Sequence, residues 1–99
     1  MAEAQGDPQA GGEVAPASPD ADPVSGTLAY LARALVEHVD EVRVELADSE
    51  RGPVYRLHVH PDDMGRVIGK SGRIARAIRQ VTRAAAARAG THAFVEIAD

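Results

Sequence analysis

Two glycines three positions apart, Gly69 and Gly72, separate an apolar stub ending in Val67-Ile68 from a long amphipathic run that starts at Arg73. Glycine adopts backbone angles and close approaches that a Cβ forbids, so the pair constrains this stretch to a tight turn. The turn opens into a helix start, where unpaired N–H groups and the helix dipole favour an anion. At about 100° per residue, Ile74, Ile78, Val81 and Ala85 fall within roughly 60° of one another, and Arg73, Arg76, Arg79 and Arg83 spread over roughly 120° on the far side. One face is expected to pack on a sheet and the other to meet solvent or a ligand. From Arg66 to Arg88 there are seven cations (Arg66, Lys70, Arg73, Arg76, Arg79, Arg83, Arg88) and no acid. Solvated faces usually mix both signs, so a polyanion is implied, and nucleic acid comes first.

The segment Gly65-Arg66-Val67-Ile68-Gly69-Lys70-Ser71 is close to a nucleotide phosphate loop but fails on spacing. Three residues separate Gly65 from Gly69-Lys70 where four are required, and Met64 stands where the first glycine would be. A phosphate loop also follows a strand, whereas a helix signal precedes this one. Hydrolysis of ATP or GTP is therefore rejected.

The flanking pattern reads as an α+β domain in the order α-β-β-α-α-β. Leu28, Leu31, Ala32, Leu35, Val36 and Val39 recur at helical spacing and predict a helix over 25–39, with Pro23 and Ser25 at its start. Val42, Val44 and Leu46 alternate with Arg43, Glu45 and Ala47 in a strand, and Tyr55, Leu57 and Val59 alternate with Arg56, His58 and His60 in another. Arg51-Gly52-Pro53 joins them as a hairpin turn. Pro61-Asp62-Asp63 opens a short helix ending near Ile68. The long helix stops at Gly90, and a closing strand carries Ala93, Val95 and Ile97.

Charge divides the chain unevenly. Residues 1–24 hold five acids, four prolines, three glycines and no cation, which predicts a disordered acidic tail. The tail has neither the basic start nor the apolar run of a signal peptide. Residues 25–99 carry eleven cations against ten acids, so the net charge of −4 hides a near-neutral domain with one basic face. The absence of cysteine excludes disulfides and thiolate zinc sites. With no targeting signal, a cytoplasmic setting is expected. His58 and His60 share one side of a strand, but two imidazoles without a carboxylate or thiolate are a poor metal site, so no metal and no cofactor are expected. Asp62 and Asp63 are accounted for by the helix start, and no Ser/His/Asp set is discernible, so the chain is not expected to be an enzyme.

The run Val67-Ile68-Gly69-Lys70-Ser71-Gly72-Arg73-Ile74 with Ile78 resembles the signature of the KH domain. The element order is similar to the prokaryotic type II arrangement, with a three-stranded sheet and helices packed on one face. The resemblance covers residues 25–99, and within the family it is strongest to the small stand-alone bacterial members. It implies that Gly69, Lys70, Ser71 and Gly72 contact the backbone of about four nucleotides of single-stranded RNA. It further implies that Val67, Ile68 and Ile74 line an apolar groove floor and that Arg66, Arg73 and Arg76 flank the path. An RNA chaperone or post-transcriptional regulator is implied, with effects on cell elongation and division. Self-association, or pairing with a second KH protein of the Jag-like KhpB type, is implied as well. The rival reading keeps the fold but turns the basic face to an acidic protein surface or to the translation machinery. Only Tyr30, Tyr55 and Phe94 are aromatic and none lies in the basic segment, so phosphate contacts are expected to dominate over stacking.

Overall fold

A computed structural model describes residues 15–16 and 22–98, and the expected disordered tail lies largely outside them. The elements run β1 (Ala15–Pro16), α1 (Pro23–Leu35), β2 (Arg43–Ser49), β3 (Gly52–His58), α2 (Met64–Ile68), α3 (Arg73–Arg88) and β4 (Phe94–Ala98). From α1 onward this is the expected α-β-β-α-α-β order.

The hairpin β2–β3 is antiparallel with Leu46 opposite Tyr55, and β4 joins β3 in parallel with Ile97 opposite Leu57. A parallel neighbour needs a crossover, and α2 and α3 supply it. These three strands are the expected sheet. A fourth, the two-residue β1, pairs antiparallel with the outer edge of β2, so the spatial order is β1-β2-β3-β4.

Helix α1 begins where its chemistry places it. Asp22 is the N-cap and accepts from the Val24 amide at 3.0 Å, with Pro23 in the first turn. The other Asp22 oxygen accepts from the buried Ser25 hydroxyl at 3.0 Å and from the Tyr55 hydroxyl at 2.9 Å, tying the helix start to β3. The helix ends four residues before the predicted Val39. Val36 is extended, and the amides of Glu37 and His38 turn away to the carboxylate of Asp63 at 3.1 and 3.0 Å. Val39 then belongs to a separate 3-10 turn, Val39–Glu41, and is exposed.

The core lies between helices and sheet. It gathers Val24, Leu28 and Ala32 from α1, Val44, Tyr55 and Leu57 from the strands, Val67 from α2, and Ile78 and Ala86 from α3. α3 closes as expected, with the Thr91 amide donating back to the Ala86 carbonyl at 2.9 Å just past Gly90.

Candidate nucleic-acid interface

The two glycines that shape the loop are not equivalent. Gly69 has φ +76°, and a Cβ there would sit 2.3 Å from Ile74 Cγ1 and 2.9 Å from the Ile74 amide nitrogen. Gly72 has φ +74°, but its Cβ would meet only Arg76 Nη1, at 3.9 Å. Between them Lys70–Gly72 forms one 3-10 turn, closed by the Gly72 amide on the Gly69 carbonyl at 3.1 Å. Ser71 is left-handed at φ 56°, a conformation that costs a non-glycine residue about 1–2 kcal/mol. Gly72 is the N-cap of α3, with no side-chain cap and no acid in the first turn. The Arg73 amide donates to the Lys70 carbonyl, and no side chain caps the amides that follow it in this sixteen-residue helix, a setting that favours an anion.

α3 has three faces, not the two expected from its wheel. Ala75, Ile78, Thr82 and Ala86 are buried against the sheet. Ile74, Ala77 and Val81 form a shoulder facing α1, where with Leu31, Ala34 and Leu35 they line an apolar groove of about 220 Å³. The third face is a stripe of Arg76, Arg79 and Arg83, within about 60° of one another and beside β4. Arg79 Nε donates to the Val95 carbonyl at 3.4 Å, so the stripe borders the edge strand of the sheet. At its far end a basin of about 440 Å³ is lined by Arg83, Ala87, His92 and Phe94.

The expected site residues separate on this frame. Lys70, Arg73 and Arg76 are exposed, and among the described residues they make no ion pair. Arg66 does not flank the loop as a free charge, because its guanidinium bonds Glu37 Oε2 at 3.3 Å and Asp63 Oδ1 at 3.2 Å. Val67 is 0% exposed and supports the loop from below, so it cannot be a floor that a base touches. Ile68 is partly exposed at the end of α2. Ile74 faces α1 and packs over Gly69, on the opposite side of α3 from the arginine stripe. The sequence alone does not place Arg79, Arg83, His92 and Phe94 among the site residues. Phe94 and His92 lie outside the basic segment, and only the parallel pairing of β4 brings them to α3.

Behind the loop, Asp63 is the charged residue on which α1 and α2 meet. Its side chain is 0% exposed, and its oxygens accept the Glu37 and His38 amides, the His38 ring at 2.9 Å and Arg66. Burial pushes this carboxyl upward, but the two amides and the His38 ring outweigh it and hold it at about 2. The same hydrogen bond raises His38 above its usual 6.5 against the opposing effect of burial. His58 and His60 take different partners. His58 Nε2 lies 2.6 Å from Glu45 Oε1, while His60 follows the strand and stacks on His38 with ring centroids 3.9 Å apart.

A βααβ crossover of parallel strands with an uncapped GxxG loop between its helices, preceded by a helix and an antiparallel strand, defines a type II KH domain. The profile of the KhpA/KhpB KH domain matches residues 26–97, and the chain belongs to that family. The RNA-binding protein KhpA of Halalkalibacterium halodurans is 47% identical over 70 residues, covering 71% of this chain and 92% of the relative. KhpA of Clostridium acetobutylicum is likewise 47% identical, covering 71% and 93%. KhpA of Mycobacterium tuberculosis is 52% identical over 50 residues, covering 50% of this chain and 62% of the relative. Among solved structures, GDP-bound Era of Aquifex aeolicus superposes with a TM-score of 0.54 at 15% identity, over 76% of this chain and 29% of Era, a likeness of fold alone. No helix among the described residues is long and apolar enough to cross a membrane.

Proposed function

We propose that this chain is a cytoplasmic, non-enzymatic RNA-binding protein, an RNA chaperone or post-transcriptional regulator, that clamps single-stranded RNA at Gly69–Gly72. The observation that carries the reading is the uncapped start of α3 behind a left-handed turn, with Lys70, Arg73 and Arg76 exposed around it. Backbone phosphates lie across the loop, with amides and cations as donors. The strand then follows Arg76, Arg79 and Arg83 along β4 toward the basin lined by His92 and Phe94, where a base finds a ring to stack on. The relatives named as RNA-binding proteins support the same reading.

Four phosphate contacts give a slope of log K against log[salt] of roughly −3 for single strands. Fluorescence anisotropy with a short unstructured RNA at two salt concentrations tests the mechanism. Lys70→Asp with Ser71→Asp is expected to keep the far-UV dichroism and to abolish binding, and wild-type affinity in the double variant would overturn it.

A second reading concerns partners. The groove lined by Leu31, Ala34, Leu35, Ile74, Ala77 and Val81 lies on the other side of α3 from the arginines, so one chain has room for RNA and for a protein at once. It supports pairing with a second KH chain, either another copy of this one or a Jag-like KhpB protein. That pairing is also how the rival role, a protein-interaction module, would be served.

A further inference from the structure

We propose that His38, His60 and Asp62 form a binding site for a transition-metal cation of the Zn²⁺ class, at the junction of α1 with the turn that opens α2. The site is independent of the RNA reading, since neither histidine lies on the basic face.

One donor atom from each of the three residues falls within 4.8 Å of the others. Donors at zinc–nitrogen distances of about 2.0–2.1 Å in a tetrahedron lie roughly 3.3 Å apart, so His60 must turn out of its near-parallel stack for its in-plane lone pair to converge with that of His38. His60, 27% exposed, and Asp62, 75% exposed, are the side chains that turn, while His38 stays on Asp63.

A buried carboxylate braces His38 from behind. The His38 Nδ1 lies 2.9 Å from the Asp63 carboxylate, which is 0% exposed and already accepts two backbone amides, so Nδ1 is placed to donate to it. In the neutral ring Nε2 is then left with its lone pair outward. A buried carboxylate that fixes the tautomer and orientation of a ligating imidazole is the usual outer shell of protein metal sites. Asp63 also takes the amides of Glu37 and His38, so backbone and ring of this ligand are held together.

His60 is set face to face with His38, at a centroid separation of 3.9 Å and an interplanar angle of 11°. Its Nδ1 now accepts the Asp62 amide at 3.0 Å, and that amide returns to water if the ring turns toward a metal. Glu41 Oε2, 3.9 Å from His60 Nε2, brings a further carboxylate to the rim. Two imidazoles with carboxylates suit Zn²⁺, Co²⁺ or Ni²⁺, with water completing the shell, and do not suit Mg²⁺, which prefers oxygen. The two histidines are twenty-two positions apart in the chain, so no local spacing pairs them.

Titration calorimetry of the full chain with Zn²⁺ at about pH 8, where imidazole is neutral, tests the site. One equivalent is expected to bind, with Co²⁺ giving the visible absorption of a tetrahedral complex and with no competition from Mg²⁺. His38→Gln and His60→Gln are each expected to weaken binding at least about tenfold, and Asp63→Asn to weaken it about tenfold through the His38 ring. His58→Gln and His92→Gln should bind as the wild type does. Absence of a one-to-one complex, or unaltered affinity in the His38 and His60 variants, would overturn the proposal, as would equal losses in the His58 and His92 variants. Should a variant fail to fold, imidazole resonances of the wild-type chain decide. Zinc must shift those of His38 and His60 first, and a shift spread over all four histidines refutes the site.

Discussion

At the scale of single residues, the loop glycines look interchangeable in sequence and are not. At Gly69 a side chain meets both a positive φ and the backbone of Ile74, whereas at Gly72 it meets only the positive φ. Gly72→Ala is expected to cost about 1–2 kcal/mol, the penalty of a left-handed L-residue. Gly69→Ala is expected to cost more, about 3–4 kcal/mol, because the turn and Ile74 must also shift. Urea midpoints of the two variants check the order. Tyr55 carries a second prediction. Burial first, then the hydrogen bond and charge of Asp22, push its hydroxyl up to about 12 from 10.0. The folded state therefore holds this proton more tightly than the unfolded chain. That contribution is complete below pH 10.0 and is lost as pH rises toward about 12. Tyr55→Phe should lower stability near neutral pH by about 1 kcal/mol and flatten the alkaline loss, as read by urea unfolding at a series of pH values.

At the scale of elements, the neighbours Asp62 and Asp63 illustrate what periodicity cannot convey. Both suit a helix start, and the sequence accounts for them equally. The fold leaves Asp62 exposed and buries Asp63 under four donors, two of them amides about twenty-five positions earlier in the chain. α1 ends at Leu35 for that reason, although its apolar pattern continues to Val39. In metal-free buffer Asp63→Asn is expected to destabilise the chain by about 1–3 kcal/mol, since an amide cannot accept all four donors. Asp62→Asn should stay within about 0.5 kcal/mol, and equal unfolding midpoints for the two variants would contradict this account. α3 gives the complementary case. Its 3.6-residue period and its arginines were legible, but its third face was not. Ile74 and Val81 leave the sheet-facing set because α1 lies against that flank of the helix.

At the scale of the whole molecule, two surfaces share α3 from opposite sides, the arginine stripe along β4 and the apolar groove against α1. A Val81→Asp substitution places a charge in the groove, at a residue already 45% exposed, so the monomer fold should survive. Light scattering after gel filtration is expected to show loss of pairing, and paired mass unchanged in this variant would remove the groove from the interface. The sequence determined by itself the order of elements, the GxxG turn and the concentration of cations after it, because each depends on neighbours within a few positions. Family membership followed from the same local signals. Only the tertiary structure decided which charges are free. It engaged Arg66 with Glu37 and Asp63, set Phe94 and His92 beside the arginines through the parallel pairing of β4, and stacked His60 on His38. Such pairings depend on residues far apart in the chain that meet only after the core has closed, and no local pattern records them.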